Sequence, residues 1–111
     1  KWQEVFSNIK FDAIYSTNYL RTRLTAEPTA DFQSLPILLY DPKNLYDNDF
    51  QRKTRGKIVL VVGHSNTINV FVNNILGQEK YPEIDDKNNS NLYIVSIIDE
   101  VARAILLKIN L

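Results

Sequence analysis

Ile58-Val59-Leu60-Val61-Val62-Gly63-His64-Ser65-Asn66 sets the only histidine of the chain at the end of five consecutive apolar residues. Three of the five are valine. A run that short, closed by glycine, predicts a strand buried on both faces rather than a helix segment. Such strands end at the carboxyl edge of an α/β sheet, where ligands bind. Gly63 lets the backbone turn there, and Ser65, Asn66 or Thr67 can cap the helix that follows. The amides of that helix start would face whatever His64 touches, which favours an anion. A lone histidine is usually a satisfied structural side chain. At a strand end beside helix amides it is badly placed for mere packing.

The bulk properties narrow the classes. A chain of 111 residues supports one domain with a single core, short for a complete α/β enzyme. Its 44% hydrophobic and 23% charged content is that of an ordinary soluble globular protein. Thirteen basic and thirteen acidic side chains cancel, so no net field recruits nucleic acid or a membrane surface. Without cysteine there is no disulfide, thiol catalysis or thiolate-bound metal. One histidine, with no second at ligand spacing, makes a zinc site improbable. No apolar run approaches the ~18–20 residues of a membrane helix.

Around the His64 strand the pattern alternates between helix and strand. The opening residues read as the middle of an amphipathic helix, with Trp2, Val5, Phe6 and Ile9 on one face and no cap before them. Phe11-Asp12-Ala13-Ile14-Tyr15 predicts a strand, closed by the turn and N-cap formers Ser16-Thr17-Asn18. A helix follows from about Tyr19 to Phe32, with Pro28 expected to bend or end it. Pro36 to Tyr40 is the next strand, stopped by Asp41-Pro42. From Asn44 to Arg55 the expectation is a short helix plus loop. A helix from Thr67 to Leu76 ends at Gly77, a natural C-cap. Gln78 to Asn91, with Asn88, Asn89 and Asn91, reads as a surface loop. Strands over Leu92 to Ile98 and Ala102 to Asn110, joined at Asp99-Glu100, finish the chain. This order fits a three-layer α/β/α sandwich with a mostly parallel sheet and an antiparallel edge.

A second strand-to-helix turn carries chemistry. In Tyr15-Ser16-Thr17-Asn18-Tyr19-Leu20-Arg21-Thr22-Arg23-Leu24-Thr25-Ala26, Arg21 falls in the first turn of its helix. There a cation opposes the helix dipole. Holding an anion explains that placement, because the planar guanidinium matches phosphate oxygens. The plainer explanation is a solvated helix arginine. Arg23 points to a different face of the helix.

Together the two turns resemble those of the histidine phosphatase superfamily, the phosphoglycerate-mutase-like fold. That family's pattern is a strand, Ser-Ser or Ser-Thr, three residues, an arginine and then Thr-Ala. Here it stands as Ser16-Thr17 through Arg21 to Thr25-Ala26. The family's later Gly-His-Ser-Asn stands as Gly63-His64-Ser65-Asn66. The resemblance extends over nearly the whole chain and is closest to small bacterial members without a large cap. It implies that Arg21 and His64 are two of four residues gripping a phosphoryl group, with Ser65 and Asn66 in the same phosphate-binding segment.

The other two residues of the family's grip belong to an Arg-His-Gly motif at the end of a first strand, whose histidine is the nucleophile. Arg-His-Gly occurs nowhere in this sequence. One expectation is that residues 1–111 are an N-terminally incomplete domain of a longer protein; the other is a degenerate domain. The uncapped start favours the first. On that view the missing strand is internal, Ile14 and the Ile58–Val62 run lose neighbours, and a strand-donating partner chain is one way to restore them.

The resemblance also implies an acid, usually glutamate, that protonates the leaving group. Asp41 and Asp47 stand in the right region, with Asp47 in Leu45-Tyr46-Asp47 ranked slightly ahead. Both are also ordinary turn or loop residues. No metal or other cofactor is required. The expected activity is hydrolysis of a phosphate monoester or phosphohistidine, on a small molecule or a phosphoprotein. Its rival is a catalytically inactive module that binds phosphate or a protein partner.

Overall fold

A computed structural model describes residues 2–85, 91–98 and 100–109 of the chain. It forms two compact units, Lys1–His64 and Ser65–Leu111. The chain is an α/β protein with a three-stranded parallel sheet and a two-stranded antiparallel one.

The first unit is built on strands β1 (Ala13–Ser16), β2 (Ile37–Leu39) and β3 (Val59–Val62), with helices α1 (Trp2–Val5), α2 (Leu20–Gln33) and α3 (Asn48–Thr54). The strands lie in the order β2-β1-β3, all parallel. Ile14 pairs with Ile37 on one side and Leu60 on the other, and Ser16 pairs with Leu39 and Val62. All three strands therefore end on one edge. The central place of β1 explains its burial: Ile14 is completely inaccessible, and Tyr15 and Ser16 are buried beside it. Phe6 and Phe11 join this core through edge-to-face packing at 5.4 Å.

α2 reaches the sheet with small side chains. Its buried positions are Thr22, Ala26, Thr29 and Ala30, spaced as one helical face, while Leu20, Leu24 and Phe32 are exposed. Gln33 then ties the end of α2 to the chain entering β1. Its amide donates to the Ile9 carbonyl at 2.7 Å and its oxygen accepts from the Phe11 amide at 2.9 Å.

Several expectations change here. The His64 strand is not buried on both faces. β3 is half-buried throughout, and Ile58, 57% exposed, lies outside it. The reason is its place at one edge of the described sheet, with β1 holding the centre. Ile14 does not lose neighbours, being flanked by strands on both sides. Of the apolar face expected at the start only Phe6 is buried, and it lies just after α1, which stops at Val5; Val5 and Ile9 are exposed. Pro28 does not end α2, which runs on to Gln33. Residue 28 is on an exposed face, where water can reach a carbonyl that loses its helical partner.

The second unit holds α4 (Ile68–Leu76), β4 (Asn91–Ile98) and β5 (Val101–Lys108). β4 and β5 form an antiparallel hairpin in which Ile98 pairs with Val101, next to Glu100 at a φ of 66°. They pair with each other in a sheet of their own, not as an edge of the parallel sheet. α4 packs on β5 and ends at Gly77, whose φ of 72° is the left-handed cap expected of glycine. Asn73 holds the following loop, donating to the Tyr81 carbonyl and accepting from the Lys80 and Tyr81 amides. The loop positions Asn88 and Asn89, the turn residue Asp99 and the strand end Asn110 lie outside the described residues.

Candidate functional site

The parallel register brings two turns together. Ser16 and Val62 are partners at the ends of β1 and β3, so Thr17 and Gly63 leave the same edge and His64 follows at once. The Thr17 amide donates to the Val62 carbonyl at 3.4 Å, extending the pairing by one step. From the other side the Tyr40 amide donates to the Ser16 carbonyl at 3.0 Å, and the Tyr40 hydroxyl reaches the Val62 carbonyl at 3.4 Å. Burial pushes the Tyr40 phenol above its ordinary range, so it acts as a neutral hydrogen-bond donor and braces the strand end that carries His64.

The His64 ring is held on two sides. Its Nε2 lies 3.0 Å from Thr17 Oγ1. The Tyr19 ring meets it edge-on at 4.7 Å and 89°. Thr17 is fully buried, and its hydroxyl also lies 2.8 Å from that of Thr22 in the first turn of α2. The Thr22 hydroxyl in turn stands 3.1 Å from the Thr17 carbonyl and 3.0 Å from the Tyr19 carbonyl.

This use of Thr17 alters the expected start of α2. Ser16 and Thr17 do not cap the helix. The Ser16 hydroxyl donates to the Thr17 carbonyl, and Thr17 turns toward His64. The N-cap is Tyr19, which offers no side-chain cap. The first-turn amides of α2 therefore face the sheet's carboxyl edge without a capping side chain, beside Arg21.

Arg21 belongs to the same electrostatic neighbourhood. Burial, and then the Arg21 charge, hold the His64 imidazole below its usual basicity. Among the described residues Arg21 makes no salt bridge; the ion pairs seen there are those of Asp49 with Arg52 and Lys53. The Arg21 charge thus acts on His64 across one sheet edge, and among the described residues no carboxylate pairs with Arg21. Arg23, two residues further along, is not among the charges acting on His64.

The carboxylates are engaged locally. Asp47 is the N-cap of α3, its Oδ1 accepting from the Phe50 amide at 2.8 Å. Asp41 closes the turn after β2, accepting from the Lys43 amide and the Asn44 side chain. Neither is among the charges acting on His64. Ser65 and Asn66 belong to the second unit. There the Ser65 carbonyl accepts from the Ile84 amide, and Asn66 is exposed. The cap of α4 is Thr67, through its backbone alone.

Sequence reasoning picked Arg21 and His64 but passed over Thr17 as a site residue, and Thr22, Tyr19 and Tyr40 altogether. One signal was present: Thr22 is a poor helix former set in a helix's first turn, a place where threonine needs a local partner. The chain matches no protein-family model, no curated protein and no solved structure.

Proposed function

We propose that this chain carries half of a phosphate pocket of the histidine phosphatase type, with Arg21 and His64 as the groups that hold the phosphoryl oxygens. One observation carries the reading. Arg21 and His64 stand at the edge where parallel strands end, burial and the Arg21 charge hold the imidazole below its usual basicity, and among the described residues Arg21 makes no salt bridge. A bound phosphate would supply the missing negative charge. The amides at the start of α2 favour the same charge.

In the intact protein of this reading, a histidine outside this sequence attacks phosphorus. The nitrogen–phosphorus bond forms, the ester oxygen–phosphorus bond breaks, and the leaving oxygen takes a proton from an acid, for which Asp47 is the candidate. Water then cleaves the phosphohistidine. Arg21 and protonated His64 stabilise the charge on the transferring oxygens. Ser65 and Asn66 complete the phosphate-binding segment, in a three-layer phosphoglycerate-mutase-like arrangement. The strand carrying the nucleophile comes from upstream chain or a donating partner, and we place it along the edge of β3. Only 42 residues separate Arg21 from His64, which leaves room for an open site without a substantial cap. That suits hydrolysis of a phosphate ester or of phosphohistidine on a protein.

The alternative is an inactive phosphate- or partner-binding module. It is favoured by the hydrogen bond between Thr17 and Nε2 of the only histidine, a bond that serves a structural residue equally well.

Calorimetric titration with orthovanadate, whose geometry approaches that of a transferring phosphoryl group, tests the pocket. Saturable binding that Arg21→Ala weakens about tenfold or more, the loss of a charge-assisted hydrogen bond, supports it. Binding indifferent to Arg21→Ala contradicts it.

A further inference from the structure

We propose that Thr17 and Thr22 act as positioning residues that keep a hydrogen on His64 Nε2, so that this nitrogen is a donor even when the ring is neutral. The inference comes from counting hydrogens. Each threonine hydroxyl has one to give and can accept as well. Carbonyl oxygens only accept.

The Thr22 hydroxyl stands 3.1 and 3.0 Å from the carbonyl oxygens of Thr17 and Tyr19. Its hydrogen must serve those carbonyls, or two oxygen–oxygen contacts are left with no hydrogen between them. The Thr22 oxygen, 2.8 Å from Thr17 Oγ1, is then the acceptor in that contact, so Thr17 donates. With its hydrogen spent on Thr22, Thr17 Oγ1 can only accept from His64 Nε2 at 3.0 Å. The chain of donors runs from His64 through Thr17 and Thr22 to a backbone carbonyl, and it has one direction. The reverse order would have Thr22 donate to Thr17 and Thr17 donate to a bare Nε2, leaving the Thr22 oxygen against two carbonyl oxygens with no hydrogen between them.

Thr17 and Thr22 are 0% and 4% exposed, so water is poorly placed to relieve those oxygen–oxygen contacts. The chain is also short and local: residues 17, 19 and 22 all belong to the turn from β1 into α2. The backbone that sets Arg21 in place therefore sets the tautomer of His64 too.

The purpose of this arrangement rests on the phosphate-pocket reading; its geometry does not. Burial and the Arg21 charge disfavour the protonated form of His64. A neutral imidazole meets an oxyanion favourably only through its N–H. With the hydrogen held on Nε2, an oxygen arriving beside Thr17 meets a donor rather than a lone pair.

The test is long-range proton–nitrogen NMR of the full chain in anion-free buffer above the His64 pKa, where the single histidine leaves no ambiguity of assignment. Nε2 is expected at a protonated, pyrrole-type shift and Nδ1 at a pyridine-type shift. Thr22→Val frees the Thr17 hydrogen to point at the ring, and both nitrogens should move toward averaged shifts. Thr22→Ser, which keeps the hydroxyl, should match the native chain. Thr17→Val, which removes the partner of Nε2, tests the relay from its other member if Thr22→Val fails to fold. A native chain with its hydrogen on Nδ1 would overturn the proposal, as would shifts untouched by both valine substitutions. Because no anion is present, failure here is separate from failure of the phosphate-pocket reading.

Discussion

Thr17 Oγ1 lies 3.0 Å from His64 Nε2 although 47 positions separate them in the chain. The parallel pairing of β1 with β3 creates this contact, because it delivers the residues after Ser16 and after Val62 to one edge. A slip of one residue in that pairing would turn alternate side chains to the opposite face and separate the two groups. The candidate site is thus a consequence of strand register before it is one of side-chain chemistry.

The basicity of His64 should respond to its neighbours in a definite direction. Thr17 and Tyr19 are among the groups about the ring, and burial with the Arg21 charge holds the folded pKa below 6.5. NMR titration of the single histidine should show that depression, and Arg21→Ala should raise the value part of the way back. The unfolded chain then binds a proton more readily than the folded one. The contribution of His64 to stability is present above pH 6.5 and declines as pH falls from there through the lower folded value. A folded pKa above 6.5, or one unmoved by Arg21→Ala, would count against the shared neighbourhood.

Asp47 is expected to act first as a helix cap. Its Oδ1 satisfies the Phe50 amide at the start of α3, so Asp47→Ala should cost about 1 kcal/mol of stability in urea denaturation. Asp47→Asn retains a capping oxygen and should recover most of that loss. As the candidate proton donor, Asp47 should leave orthovanadate affinity unchanged in both variants. A large change in affinity would give it a direct place on the anion.

Much of the first unit was legible in residue types. The valine-rich run before Gly63, the Ser16-Thr17-Asn18 turn and the polar stretch before Arg55 each announce an element that the structure contains. What the sequence could not convey was which strand holds the centre. Ile58–Val62 is the more apolar run, yet Ala13–Ser16 takes the middle of the sheet and buries Ile14. Sheet order depends on pairing between distant segments, and composition does not encode it. Thr17 escaped as a site residue for a related reason. As a turn residue it reads as an N-cap, and only the arrival of His64 from another strand gives its hydroxyl a different partner. Pro28 was over-weighted, because its cost in a helix falls where the carbonyl it leaves behind can reach water. The hairpin strands were visible as two apolar runs about a turn, but pairing with each other alone, apart from the parallel sheet, was not.

The claim that Arg21 and His64 grip one phosphoryl group is tested most directly by titrating inorganic phosphate while following the His64 pKa. A phosphate held between them supplies negative charge to the ring, so the pKa should rise and saturate. Arg21→Ala should require about tenfold or more phosphate to reach the same rise, and Arg23→Ala should titrate like the native chain. A His64 pKa that ignores phosphate, or equal losses from the two arginine variants, would contradict the claim.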